Sequence, residues 1–178
     1  AGLSAAGLPD TRRLSALSEK WGPGHSQPLG GSPKFSTSEA AFLNGFQIHC
    51  QEFDAVHEQA VLHAMSVVSG AMLADCQRNR IMGSKFLEAL ICGVEVTAAV
   101  GIASRAPMRF FRPATVGLMG AVVALAKAHG TDRTTMKNAL GLAFSYVSGN
   151  MQAHLEGSPA LAYQVGIAAR NAIFAWDM

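Results

Sequence analysis

Apolar residues recur along most of this chain at the three- and four-residue spacing that is typical of amphipathic helices. In one stretch, five apolar side chains fall on a single helix face: Met136, Leu140, Ala143, Phe144 and Val147. Glycine, proline and capping residues interrupt the pattern and mark the ends of the segments. These features predict helices at about 10–20, 38–50, 60–78, 84–104 and 114–129, with two more beginning after Thr131 and near Leu161.

The segment 84–104 differs from the others because it is apolar on nearly every side. Its apolar residues include Leu90, Ile91 and Val94, and a helix without a polar face is typically buried inside a domain. We therefore expect this helix at the centre of the bundle. The amount of apolar surface also predicts that a partner chain or a further domain covers part of the protein.

No run of residues has the pattern of a β-strand, so the chain is predicted to be an all-α helical bundle. Residues 1–35 are predicted to form a short helix and a loop rich in Gly and Pro, and residues 36–178 the helical domain. The helical pattern continues to the last residue, so we expect this domain to be incomplete. Glycines inside the predicted helices each cost about 1 kcal/mol relative to alanine, which favours close helix packing as their purpose. They are Gly70, Gly93, Gly101, Gly117, Gly120, Gly141 and Gly166.

Composition excludes some classes of function. The 178 residues are 49% hydrophobic, which is enough to bury a core. The net charge is +2, and the basic residues are scattered without interleaved aromatic residues, so nucleic-acid binding is not expected. The three cysteines, Cys50, Cys76 and Cys92, lack the spacing of a disulfide framework and predict reduced thiols in a cytoplasmic protein.

A membrane location is also not expected. The N-terminal segment lacks the basic stretch and apolar core of a secretory signal. The most apolar stretch, residues 90–103, is interrupted by Glu95 and is shorter than the roughly 18 residues that a membrane span requires.

Candidate chemistry is concentrated in the segment that ends at His63. Only 15% of the chain is charged, yet a short run carries three carboxylates and three histidines: His49, Glu52, Asp54, His57, Glu58 and His63. Histidine titrates near neutral pH, and a neighbouring carboxylate orients it or tunes its basicity. We therefore predict a proton-transfer site in which His63 acts with Glu52 or Asp54. The alternative is structural, since these carboxylates could cap the following helix.

Two further features of the sequence bear on the candidate site: the residues around Arg112 and the pair His57-Glu58. Arg112 precedes Pro113 and the start of a helix, where a guanidinium and free N–H groups would bind a carboxylate; Arg109, Thr115 and His57 are weaker candidates for substrate binding. A solvated loop arginine is the alternative for Arg112. The pair His57-Glu58 begins like a zinc-binding HExxH motif, but Val61 stands at its fifth position. We therefore predict neither a metal nor an organic cofactor.

Five segments in order carry a resemblance to a known family: AAFLNGFQIHCQEFDAVHEQAVLHA, GSKFLEALICGVEVTAAVG, FFRPATVGLMGAVVALAKAHGTD, ALGLAFSYVSG and VGIAARNAIFA. Together they resemble the N-terminal helical domain of the MmgE/PrpD family over residues 37–178. The resemblance implies acid/base chemistry on small polycarboxylates without metal or cofactor. It also implies a homodimer and a second, α/β domain that this chain does not contain.

The resemblance supports some of the candidate residues. Glu52 and Asp54 match two aspartates of the family's acidic loop, and His63 matches its histidine. Five family positions carry a different residue in this chain: Ala55, Val56, Ala64, Arg112 and Leu161, where the family has aspartate, threonine, proline, a second histidine and lysine. We therefore expect a lyase or isomerase that abstracts a proton from a small di- or tricarboxylate. The alternative is a helical binding or assembly module without catalytic activity.

Overall fold

A computed structural model describes residues 1–31, 33–105 and 107–178. Over these ranges the chain forms nine α-helices: α1 (Gly2–Ala5), α2 (Pro9–Ser18), α3 (Thr37–His49), α4 (Ser66–Asn79), α5 (Gly83–Ala103), α6 (Arg112–His129), α7 (Arg133–Ser145), α8 (Gln152–Leu155) and α9 (Ala160–Asp177). The described residues also include a 3₁₀ turn (Glu19–Trp21) and a short strand, β1 (Pro23–Ser26), that pairs with Phe35. The prediction of an all-α fold is confirmed.

The main core lies between four helices, α3, α4, α6 and α9. Large side chains from three of them are fully buried there: Val67, Met72, Leu118, Leu125, Val165 and Ile173. Each such side chain stabilises the fold by about 1.5–3 kcal/mol relative to an exposed position. The arrangement follows from the helical spacing of apolar residues that the sequence shows.

Glycine allows two helix pairs to approach closely. A Cβ atom added to Gly93 of α5 would lie 2.6 Å from the carbonyl oxygen of Gly120 in α6, and one added to Gly166 of α9 would lie 2.7 Å from that of Phe42 in α3. The predicted role of helical glycines in close packing is therefore confirmed at these positions. It is wrong for Gly141, since a Cβ there would meet no described atom within 4 Å.

The helix α5 is not at the centre of this chain, and that prediction is wrong. It packs mainly against α6, while Ile91 is 63% exposed and Leu87 is 58% exposed. Leu90 and Val94 are only half-buried. An apolar pattern on every side shows that a helix needs covering, but it does not show that the covering surface belongs to the same chain.

Within the part of the chain that the structure describes, α5 is also the one helix long and apolar enough to cross a membrane. It has 21 residues, a mean hydropathy of 1.8 over its most apolar window, and 28% of that window is buried. The argument from insufficient length was therefore wrong. Length and composition alone are weak evidence for a span, because the core helix of a soluble protein can have the same length and hydropathy.

The exposed face of α5 leads to a prediction about self-association. Leu87 and Ile91 expose large apolar side chains on this face, and a second copy of the chain would remove them from water. We expect the full-length protein to self-associate and Ile91→Glu to weaken this, because a carboxylate is costly in an apolar interface. Sedimentation measures the effect, and Lys20→Glu, which changes an exposed charge in the 3₁₀ turn, serves as the control. A wild type that sediments as a monomer would contradict this expectation.

The N-terminal segment is tied to the bundle by polar contacts. The Ser26 hydroxyl donates to the carbonyl oxygen of Ala74 over 2.7 Å, and the backbone N–H of Leu29 donates to the side-chain oxygen of Asn44 over 2.8 Å. The predicted helix at 60–78 begins at Ser66 instead. The backbones of His57 and Leu62 hydrogen-bond to each other in a tight hairpin, which prevents an earlier start.

Candidate proton-transfer site

The candidate site is built on the loop between α3 and α4, which folds back over the end of α3. The helix ends at His49, whose carbonyl oxygen accepts a hydrogen bond from the N–H of Glu52 over 2.8 Å. Glu52 has a φ of 51° and Val61 a φ of 52°, both in the left-handed region. These two turns reverse the chain twice, so that residues after α3 return to the end of that helix.

Asp54 lies between two imidazoles as a result. The Nδ1 atom of His49 lies 3.2 and 3.1 Å from the two carboxylate oxygens, and the Nδ1 atom of His63 lies 3.1 Å from Oδ1. The side chains of His49, Asp54 and His63 are 0%, 4% and 16% exposed. The contact of His63 has hydrogen-bond distance but not the angle of a good hydrogen bond.

The environment shifts the pKa of both partners. Burial opposes ionisation of Asp54, but the hydrogen bond with His49 and the contact with His63 outweigh it and hold the pKa of that carboxyl well below its ordinary value. The Asp54 carboxylate raises the pKa of His63 above its ordinary value of 6.5, although burial acts in the opposite direction. Glu52 adds a smaller charge effect of the same sign. The Asp54 carboxylate therefore favours the protonated form of His63.

The same atoms could also hold a cation. One ligand atom from each of His49, Asp54 and His63 lies within 4.8 Å of the others, and two imidazoles with a carboxylate are ligands that zinc and iron accept. The nitrogen–oxygen distances of 3.1 Å are also those of hydrogen-bonded groups, so they do not by themselves indicate a metal. The absence of a bound metal stays a prediction.

Arg112 begins α6 and is half-buried, so it is not a solvated loop arginine. Its Nη1 atom donates to the carbonyl oxygen of Ala60 over 2.9 Å, which joins the start of α6 to the loop that carries His63. Arg109, Arg112 and Thr115 line one cavity of about 450 Å³, together with apolar side chains such as Phe110. The predicted carboxylate-binding residues are therefore brought together.

Glu52 belongs to a different cavity. It lines a space of about 370 Å³ together with His49, Cys50, Asp10 and His154. The residue at the family's lysine position, Leu161, also lies in this wall. From the sequence, Glu52, Asp54, His63 and Arg112 are predicted to face one cleft. In this chain Glu52 and Arg112 line separate cavities and, among the described residues, His63 lines neither, so the shared cleft stays a prediction.

Two other histidines have structural surroundings. The Nδ1 atom of His57 accepts a hydrogen bond from the N–H of Ala60 over 3.2 Å, so its ring stabilises the hairpin rather than reaching either cavity. The place of His49 near the end of a helix predicts a structural role, and the structure puts its ring in contact with Asp54. Its position at the end of a helix and five residues before an aspartate was the available signal.

Glu52 has a strained backbone conformation, so substitutions at this position can distinguish a structural role from a role in proton transfer. A non-glycine residue in the left-handed region costs about 1–2 kcal/mol, and glycine at position 52 would relieve that cost. Glycine also increases the conformational entropy of the unfolded chain, which opposes the gain. Glu52→Gly is therefore expected to change the free energy of unfolding by less than about 1 kcal/mol. Chemical denaturation measures this. If Glu52 also takes part in proton transfer, the same variant loses turnover while Glu52→Asn, which tolerates this backbone, loses it equally. Unchanged turnover in both variants would remove Glu52 from the site.

Similarity to known proteins identifies the family of this chain. The sequence matches the MmgE/PrpD N-terminal domain over residues 1–178, which includes the segment 1–36 that the resemblance did not cover. A cis-aconitate decarboxylase-like protein of Aspergillus oryzae, oryM, is 28% identical over 97% of this chain and 38% of its own length.

Two mammalian proteins named cis-aconitate decarboxylase are similar as well. The protein of Mus musculus is 29% identical over 82% of this chain and 32% of its own length. The protein of Homo sapiens is 30% identical over 71% of this chain and 28% of its own length. The chain thus spans between about a quarter and two fifths of the length of these relatives. The chain belongs to the MmgE/PrpD family, of which it represents the N-terminal domain.

Proposed function

We propose that this chain is the helical part of a lyase or isomerase that moves a proton next to a carboxylate of a small di- or tricarboxylate. The observation that carries this proposal is the buried contact of His63 with Asp54, beside a loop that Arg112 holds. The relatives are named for the decarboxylation of cis-aconitate, a tricarboxylate, which favours a lyase over an isomerase.

The imidazole of His63 supplies the proton transfer in this proposal. Its Nδ1 atom faces Asp54, so Nε2 on the other side of the ring is the atom that exchanges a proton with the substrate. When Nε2 takes a proton from carbon, the electron pair moves onto the adjacent carboxylate. The resulting negative charge requires a nearby cation, and no step of this transfer requires a metal or an organic cofactor.

Arg112 supplies that cation, because its Nη1 atom donates to Ala60 in the loop that carries His63 and its side chain also lines the cavity of about 450 Å³. Arg109 and Arg112 provide positive charge, and Thr115 provides a hydroxyl group near the start of α6. By contrast, the described residues of the other cavity include two carboxylates, Asp10 and Glu52, and neither lysine nor arginine. A polycarboxylate therefore fits the first cavity and is repelled from the second.

Arg112 gives this proposal a quantitative prediction. Arg112→Gln is expected to raise KM for a tricarboxylate by about 10- to 100-fold, because a charged hydrogen bond contributes about 1.5–3 kcal/mol. Steady-state kinetics of the full-length protein measures this. Arg105→Gln is the control, since Arg105 is exposed and lines neither cavity. Equal KM values for wild type and Arg112→Gln would contradict the assignment.

The direct test is proton exchange at carbon. Full-length protein is incubated in D2O with cis-aconitate, a saturated hydroxytricarboxylate and a set of dicarboxylates, and NMR detects deuterium at carbon or a new product. The rival function is a non-catalytic binding or assembly module. The loss of three polar family residues, at the positions of Ala55, Val56 and Leu161, favours this rival. Binding of these acids without exchange or product would establish the rival and end the enzyme proposal.

A cytoplasmic homodimer completes the proposal. The exposed apolar face of α5 and the three cysteines without disulfide partners support these two points. Cell fractionation and the sedimentation experiment on Ile91→Glu test them separately from the chemistry.

A further inference from the structure

We propose that His49 is a positioning residue of the proton-transfer site: its buried imidazole holds the Asp54 carboxylate in place for His63. The inference rests on the proposed function of His63 and adds a second histidine to it. His49 is not expected to contact the substrate.

The first support is the geometry of the contact. His49 Nδ1 lies almost equally far from both carboxylate oxygens of Asp54, at 3.2 and 3.1 Å, and it meets the requirements of a hydrogen bond to each. The contact of His63 with the same carboxylate lacks a good angle. His49 is therefore the stronger of the two anchors of Asp54.

The second support is the protonation of the His49 ring. Its Nε2 atom is buried and has no hydrogen-bond partner among the described residues, and the ring packs beside Phe111 with 5.7 Å between ring centroids. A proton on Nε2 would be a buried donor without an acceptor, which is costly. The neutral ring with its proton on Nδ1 avoids that cost and donates to Asp54. This tautomer makes His49 a fixed donor rather than a group that exchanges protons.

The third support is the surroundings of the carboxylate. Asp54 is 4% exposed although its neighbours in the loop, Phe53 and Ala55, are exposed. A buried carboxylate requires donors, and without His49 the contact that Asp54 keeps among the described side chains is that with His63. We therefore expect Asp54 to rotate into solvent when His49 cannot donate. His63 then loses the carboxylate that orients it.

The titratable groups that face His63, within the part of the chain that the structure describes, determine which change in its pKa is expected. They are Asp54 and Glu52 from its own loop and His49 from the end of α3, whose ring lies 4.7 Å from that of His63 between centroids. Because His49 is neutral in the proposed tautomer, it does not repel a protonated His63. Loss of the Asp54 contact should lower the pKa of His63.

The experiment uses full-length protein labelled with 15N in its histidines. In the wild type, 15N chemical shifts are expected to show His49 with its proton on Nδ1; a proton on Nε2 instead would overturn the proposal without any variant. His49→Leu removes the donor at similar volume, and we expect the titration midpoint of His63 to fall and kcat to drop by about 10- to 100-fold. His49→Asn keeps an N–H at the position of Nδ1 and is expected to restore both toward wild type.

Two controls separate positioning from general destabilisation. His129→Asn removes a histidine that contacts a different buried aspartate, so it should lower stability without moving the His63 midpoint. His25 is exposed and reports the same titration in every variant. An unchanged His63 midpoint in His49→Leu would overturn the positioning role and leave the proposed function untouched. Conversely, a protein without turnover would end the proposed function, while the shift of the His63 midpoint would still measure the effect of His49 on Asp54.

Discussion

His63→Ala is expected to lower kcat of the full-length protein by about 10²- to 10⁴-fold, which is the usual contribution of a positioned acid or base. The side chain is 16% exposed and contacts Asp54, so its removal should cost only about 1–3 kcal/mol of unfolding free energy and leave the protein folded. Steady-state kinetics and denaturation of the same preparations measure the two effects. Turnover within a few-fold of wild type would remove His63 from the reaction.

The matched control is another histidine of the same loop. His57→Ala removes the acceptor for the N–H of Ala60 and should loosen the hairpin, but it leaves the contact between His63 and Asp54 in place. We expect this variant to lose stability with a much smaller loss of kcat. Similar losses of kcat in His57→Ala and His63→Ala would show that the loop matters as a structure and that His63 has no chemical role.

The pH dependence of stability gives an independent check. The pKa of His63 is raised in the folded protein, so its contact stabilises the fold fully below the unfolded value of 6.5 and is lost as pH rises through the folded value. The difference in unfolding free energy between wild type and His63→Ala should therefore be largest in mildly acidic solution. The pKa of Asp54 is lowered, so its contribution is present above its ordinary value of 3.8 and is lost only in strong acid.

Most helices could be predicted from the sequence, because local spacing and capping determine where a helix can form. Ser36 illustrates this: its hydroxyl accepts from the N–H of Glu39 and begins α3 close to the predicted position. The error at α5 has a different origin. Burial of that helix depends on which surface covers it, and a pattern along one chain does not contain that information.

The candidate site could be predicted in part for a similar reason. The sequence identified His63 and Asp54 as chemically suitable residues, and the structure brings them into contact. The sequence did not show that His49 reaches Asp54. That contact depends on a left-handed turn at Glu52, which is an unfavourable conformation for glutamate. Nor did the sequence show that Glu52 and Arg112 line separate cavities, since that depends on how loops meet in space.

A second buried aspartate, Asp75 in α4, contacts groups from α4 itself and from α6. Its Oδ1 accepts from Arg78 over 2.7 Å and from Asn79 over 2.9 Å, and its Oδ2 lies 2.8 Å from Nε2 of His129 at the end of α6. Arg78 continues the network to Asp177 of α9 through two further hydrogen bonds of 2.7 and 2.8 Å. The group therefore joins α4, α6 and α9 at one end of the bundle.

Asp75→Ala is expected to lower the free energy of unfolding by about 3 kcal/mol and Tm by about 6–12 °C, because it leaves buried donors without their acceptor. The side chain of Asp75 is 0% exposed, whereas that of Asp177 is 42% exposed. Asp177→Ala is therefore the matched control and should cost less than about 1 kcal/mol, as exposed ion pairs do. Thermal and chemical denaturation measure both variants. Equal small losses would mean that solvent replaces the contacts of Asp75, and that apolar packing alone holds the three helices together.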